Sequence, residues 1–98
     1  MNEARATRTV VVNNPQGLHA RPADLLVKLA TRFESKIEII KDYERVDAKS
    51  ILAVMTLAAT AGTRLSIEAV GPDAQESVDA LAELLERNFG EDENMNQG

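Results

Sequence analysis

Four short stretches of the chain have the β-branched or alternating apolar pattern that is typical of strands with one buried face. A valine run predicts a first strand near residues 7–12, which ends at the turn cluster Asn13–Gly17. Two further strands, Lys36–Lys41 and Arg45–Ala48, are separated by only three residues and therefore predict a hairpin. The fourth strand is predicted at Leu65–Ala69.

The first amphipathic helix is predicted over Ala20–Phe33, where apolar residues recur at three- and four-residue spacing. Proline has no amide hydrogen and its ring clashes in a helix interior, so Pro22 fits only the first turn. The helix must therefore begin almost at His19.

Two more helices are predicted later in the chain. Ser50 precedes a helix-favouring run and is predicted to be the N-cap of a second helix, which ends before Gly62. Asp73 and Glu76 resemble a capping box at the start of a third helix, and Gly90 is predicted to end it. The apolar stripe of this helix consists of Val78, Leu81, Ala82, Leu85 and Phe89.

The predicted element order is β-α-β-β-α-β-α. Strands and helices must each bury one apolar side, so we expect an α+β fold of the open-faced sandwich type. A four-stranded antiparallel sheet would be covered on one face by three helices. The 98 residues suffice for one domain, predicted at residues 1–90, and the acidic residues 91–98 are expected to form a disordered tail.

The composition excludes several classes of function. The chain contains no cysteine and one histidine, which rules out disulfides, thiolate metal sites, paired-histidine metal sites and cysteine nucleophiles. The net charge of −5 argues against binding to nucleic acid or an anionic membrane, and no run is long and apolar enough to span a bilayer. We therefore expect a soluble cytoplasmic protein without metal or cofactor.

His19 is the residue with the clearest chemical potential. A helix start offers amide N–H groups and a partial positive charge, which favour a bound anion. A histidine there can accept a phosphoryl group as a neutral nucleophile, and Arg21 can form charge-assisted hydrogen bonds with the phosphoryl oxygens. A surface histidine without function at a helix start fits the same residue types, so the pattern alone leaves both interpretations open.

A resemblance to a known family separates these two interpretations. The segment Gly17–Ala23, GLHARPA, and the later Lys49-Ser50-Ile51 strongly resemble the histidine-containing phosphocarrier family HPr of the phosphoenolpyruvate-dependent phosphotransferase system. The resemblance covers residues 6 to about 89. It implies that His19 accepts a phosphoryl group at ring Nδ1 from phosphorylated enzyme I and passes it to IIA proteins or domains. It also implies that Arg21 is the active-site arginine.

The resemblance further implies a second modification site and a docking surface. Ser50 matches the position of a regulatory serine that an HPr kinase/phosphorylase modifies in some bacteria, and a simple N-cap role is compatible with the same serine. The predicted partner-binding residues are Gly17, Ala20, Ile51, Leu52 and Met55. We expect a monomer that binds its partners transiently.

Two alternative functions belong to the same family. One is a regulatory module that acts mainly through phosphorylated Ser50, and the other is a carrier in a nitrogen-related phosphorelay. The hairpin residues Asp42-Tyr43 depart from the Asn-Gly or Asp-Gly pair that is common in the family, which leaves the turn geometry open.

Overall fold

The computed structural model describes residues 4–13 and 15–87. The elements in chain order are β1 (Arg5–Val11), α1 (Ala20–Ala30), β2 (Lys36–Lys41), β3 (Glu44–Asp47), α2 (Ile51–Thr56), β4 (Arg64–Val70) and α3 (Ala74–Glu86). This is the element order predicted from the sequence. The predicted helix residue Phe89, the stop at Gly90 and the predicted tail at 91–98 lie outside the described residues.

The four strands form one antiparallel sheet in the order β1-β4-β2-β3. Arg5 of β1 and Lys36 of β2 both pair with Val70, so β4 lies between these two strands. Lys41 pairs with Glu44 across the tight hairpin that joins β2 to β3. The predicted α+β open-faced sandwich is therefore confirmed.

The core lies between the sheet and the helices. Every second residue of β4 is buried, which places one face of the sheet against the helices. The largest fully buried side chains are Val12, Leu26, Ile37, Ile39, Val54, Leu57, Leu65, Ile67, Val78, Leu81 and Leu85.

The opposite face of the sheet carries a charge network. Glu38 and Glu68 are directly opposed on neighbouring strands, an arrangement that is destabilising without a cation between them. Arg45 supplies it, because its Nη1 lies 2.7 Å from Oε1 of both carboxylates. Hydrogen bonding by Arg45 lowers the pKa of Glu68.

Both of the first two helices are shorter than predicted. α1 ends at Ala30, where the Thr31 hydroxyl donates to the Lys28 carbonyl and the chain continues in tighter turns. α2 ends at Thr56, and Ala58 has a left-handed backbone with φ of 49°. Apolar periodicity continued past both ends because the residues that follow still pack on the core.

The predicted capping box at α3 is wrong. Asp73 is the N-cap residue, but its side chain makes no hydrogen bond to the helix. Its carboxylate accepts instead from the amides of Glu34 and Ser35, both at 2.9 Å, and from the Ser35 hydroxyl. Asp73 therefore fastens the start of α3 to the start of β2.

The β2–β3 hairpin closes with an unusual residue pair. Asp42 takes the positive φ of 54°, a conformation that aspartate tolerates better than most residues. Tyr43 is fully exposed at the tip. The bulky residue is accommodated because the positive φ falls on its neighbour.

Candidate functional site

The turn before α1 is held against the segment that follows α2. Gly17 is buried with φ of 72°, and an added Cβ would overlap the Ala59 carbonyl oxygen and lie 2.9 Å from Thr60 Cα. The Leu18 amide donates to the same Ala59 oxygen at 2.8 Å, and its side chain is buried. Only glycine combines this backbone conformation with this close approach.

His19 is the N-cap of α1, as the position of Pro22 predicted. Its backbone is extended, with φ of −84° and ψ of −169°, and its carbonyl accepts the Ala23 amide at 3.0 Å. Pro22 is buried in the first turn, where its missing N–H removes no helical hydrogen bond. Most residues at an N-cap bond back to the helix through their side chain, but the His19 side chain does not.

The imidazole of His19 has two unlike nitrogens. Nε2 is buried and has no hydrogen-bond partner. The side chain as a whole is half-buried and forms no hydrogen bond with the residues that the structure describes. An incoming group would therefore have to displace the ring to reach Nε2.

The start of α1 suits an anion beside this ring. Ala20 and Arg21 are exposed and contribute the first two amides of the helix, whose N–H groups point out of the helix start. The aligned peptide dipoles add about half a positive charge there. The Arg21 guanidinium adds a full charge two residues after His19.

Ser50 occupies the N-cap of α2, as predicted. Its Oγ accepts from the Ala53 amide at 3.3 Å, and its carbonyl accepts from the Val54 amide at 3.0 Å. The preceding Lys49 donates through Nζ to the Phe33 carbonyl, just beyond the end of α1, at 2.8 Å. The start of α2 is therefore capped and attached to its neighbour.

His19 and Ser50 lie at opposite ends of α2. The turn that contains Gly17 contacts Ala59, after the helix ends, whereas Ser50 begins the helix. Six residues of helix separate these ends by about 9 Å. The two predicted modification sites therefore do not form one cluster.

The predicted docking residues differ in exposure. Leu52 is 74% exposed and Met55 is 38% exposed, while Ile51 is half-buried and packs on the core. Ala20 is exposed beside His19. Gly17 is buried, so backbone packing accounts for the glycine and little of it is left for a partner to contact. The docking role of these residues stays a prediction.

Sequence reasoning missed two lysines that fix α2. Lys49 holds its start, and Lys41 of β2 donates through Nζ to the Leu57 carbonyl at its end, at 2.9 Å. A signal was present, because Lys41 falls on the same side of β2 as the buried Ile39. A charged residue at a position that alternation would bury needs a polar partner.

The structure also bears on metals and membranes. Within residues 4–13 and 15–87, no group of three or more His, Cys, Asp or Glu side chains is arranged to hold a metal ion. Over the same ranges, no helix has both the length and the apolar character needed to cross a bilayer.

The chain is similar to known proteins over most of its length. The family described as PTS HPr component phosphorylation site matches residues 6–87. The phosphocarrier protein HPr of Treponema pallidum is 45% identical over 85 residues, which is 87% of this chain and 97% of that protein. The HPr-like protein Crh of Halalkalibacterium halodurans is 42% identical over 80 residues, 82% of this chain and 95% of that protein.

A solved structure gives the same result for the fold. HPr of Thermoanaerobacter tengcongensis superposes with a TM-score of 0.84 at 41% identity, covering 87% of this chain and 96% of that one. Sequence, fold and the histidine at the start of α1 thus agree, and the chain belongs to the HPr family of phosphocarrier proteins of the phosphotransferase system.

Proposed function

We propose that the chain carries a phosphoryl group on Nδ1 of His19, received from phosphorylated enzyme I and passed to IIA proteins or domains. The observation that carries this proposal is the asymmetry of the ring. Nε2 is buried without a partner, so Nδ1 is the nitrogen available at the helix start. With the ring proton on Nε2, the Nδ1 lone pair attacks phosphorus as the donor's bond to phosphorus breaks. Transfer to the next protein reverses these bond changes.

The helix start stabilises the phosphorylated form. A phosphoryl group on Nδ1 brings negative charge next to the Ala20 and Arg21 amides and the positive end of the α1 dipole. Arg21 adds charge-assisted hydrogen bonds. The protein supplies only this half of each transfer site, because partner proteins contribute the remaining groups around the phosphorus.

The test is labelling with enzyme I and phosphoenolpyruvate. Wild type should gain the mass of one phosphoryl group, labile in acid, and peptide mapping should place it on His19. His19→Ala should gain none. Arg21→Met is the matched variant and should be labelled at the same residue but more slowly. A label that persists in His19→Ala contradicts the proposal.

The direction of transfer needs a second step of the same assay. The labelled protein, separated from enzyme I, should lose its phosphoryl group to a sugar-specific IIA protein. Transfer to a nitrogen-related IIA protein alone would identify the alternative phosphorelay. Chain mass in solution and cell fractionation test the accompanying inference of a cytoplasmic monomer.

A second candidate function is regulation through Ser50. Two observations favour it: Ser50 begins the helix that exposes Leu52, and the chain is similar to an HPr-like protein Crh. A phosphate at a helix N-terminus is tolerated electrostatically, while its negative charge changes which partners bind nearby. An HPr kinase/phosphorylase with ATP should label wild type but not Ser50→Ala. Ser66→Ala, on the open sheet face, is the matched control, and an unlabelled wild type excludes this branch.

A further inference from the structure

α2 cannot hold its own orientation. It contains six residues, and a helix of that length is not stable in isolation because nucleation costs more than so few hydrogen bonds return. Its inward side is fixed by Val54 and by the adjacent Leu57, both buried. Its outward side presents Leu52 and Met55. The direction in which these two side chains point therefore depends on how the ends of the helix are attached.

The C-terminal end of α2 has an unfavourable local geometry. Its final turns are tight, with the Leu57 amide on the Val54 carbonyl at 3.2 Å and the Ala58 amide on the Met55 carbonyl at 3.1 Å. Ala58 then has φ of 49°, where glycine is the usual residue after a helix. Local propensity therefore does not favour this helix end.

Lys41 supplies the missing attachment. It is the last residue of β2, it is half-buried, and its Nζ donates to the Leu57 carbonyl at 2.9 Å. The last carbonyls of a helix receive no hydrogen bond from within the helix, and a cationic donor is the partner that they favour. The bond therefore links the end of α2 to the sheet.

We infer that Lys41 is a positioning residue for partner docking, which it favours by holding the C-terminal end of α2 so that Leu52 and Met55 face the partner. This inference rests on the proposed function. Lys41 bonds to the end of α2 from strand β2, and it is not part of the chemistry proposed at His19. Its loss should weaken recognition of the partner without slowing the transfer step.

The test uses Lys41→Met, which keeps the length of the side chain and removes the donor. Lys36→Met is the matched control, since it removes the same charge from the same strand and Lys36 makes no side-chain hydrogen bond or ion pair with the described residues. Hydrogen exchange at residues 55–58 should accelerate about tenfold in Lys41→Met. In phosphorylation by enzyme I, KM for the variant should rise about threefold at unchanged kcat. Lys36→Met should match wild type in both measurements.

The two measurements fail in different ways. Exchange needs no partner, so unchanged exchange at residues 55–58 overturns the attachment whatever the phosphorylation assay gives. Faster exchange with unchanged KM, or a fall in kcat alone, overturns the positioning role. An absence of label on His19 in wild type contradicts the proposed function and leaves the exchange result standing. If Lys41→Met does not fold, Lys41→Gln, whose amide is too short to reach Leu57, takes its place.

Discussion

The starts of α1 and α2 have N-cap residues with the same extended backbone, but the two side chains behave differently. Ser50 bonds back to the Ala53 amide and closes its helix start. His19 has the same extended backbone but leaves its helix start without a side-chain cap, and its Nε2 is buried without a partner. A closed start stabilises the fold. A start that its N-cap side chain does not close lacks the stability that such a cap contributes.

The start of α3 shows a third use of the N-cap position. Asp73 turns its carboxylate away from the helix and toward Ser35, whose side chain is 1% exposed. The three N-cap side chains thus differ: that of His19 makes no bond to its helix, that of Ser50 caps its helix, and that of Asp73 makes a tertiary contact. The residue type at an N-cap predicts that a helix begins there, but not what the side chain does.

The largest effect on stability is expected from a substitution that displaces the turn before α1. Gly17→Ala places a Cβ against the Ala59 carbonyl and also requires alanine at φ of 72°, so we expect a loss of about 3 kcal/mol in the free energy of unfolding. Labelling of His19 should slow because the turn that holds it moves. Urea denaturation and the labelling rate measure the two effects.

Gly62→Ala is the control for this prediction. Gly62 has φ of 90° with nothing within 4 Å of an added Cβ, so only the conformational cost remains, about 1 kcal/mol. Equal losses for the two variants would show that close approach to Ala59 does not fix the turn.

Removal of the cap from the closed start should have a moderate effect. Ser50→Ala loses the bond to the Ala53 amide, and we expect about 1 kcal/mol lower stability. Its labelling at His19 should keep the wild-type kcat, since the two sites lie at opposite ends of α2. A lower kcat at full folding would mean that the two helix starts are coupled.

Closing the uncapped start should shift stability in the opposite direction. His19→Ser introduces a residue that caps well and removes a buried unpartnered nitrogen, so we expect a gain of about 0.5 to 1 kcal/mol together with complete loss of the label. His19→Ala separates the two contributions because alanine cannot cap. A serine variant that is no more stable than the alanine variant would show that this helix start cannot be closed.

Much of the fold and of the site followed from the sequence because the signals were local. Pro22 fixed the start of α1, and Ser50 fixed that of α2. Helix ends were less predictable. Ala58 has a left-handed backbone just after α2, and alanine gives no sequence signal for that conformation. Contacts between distant residues, such as Lys41 with Leu57 and Asp73 with Ser35, depend on packing that a pattern of residue types does not contain.

The smallest effect is expected at the third N-cap, as a change with pH. Hydrogen bonds lower the pKa of Asp73: the bond from the Ser35 hydroxyl contributes most, and the bond from the Glu34 amide contributes next. The folded state thus favours the ionised carboxylate, so this contribution to stability is present above the ordinary carboxyl pKa and is lost as the pH falls through the lowered value. Ser35→Ala removes the main cause, and its stability should fall less steeply than that of wild type below about pH 4. Urea denaturation across that range measures the difference, with Ser66→Ala as a control that keeps the wild-type slope. Parallel curves for Ser35→Ala and wild type would mean that the Ser35 hydroxyl does not make stability depend on the ionisation of Asp73.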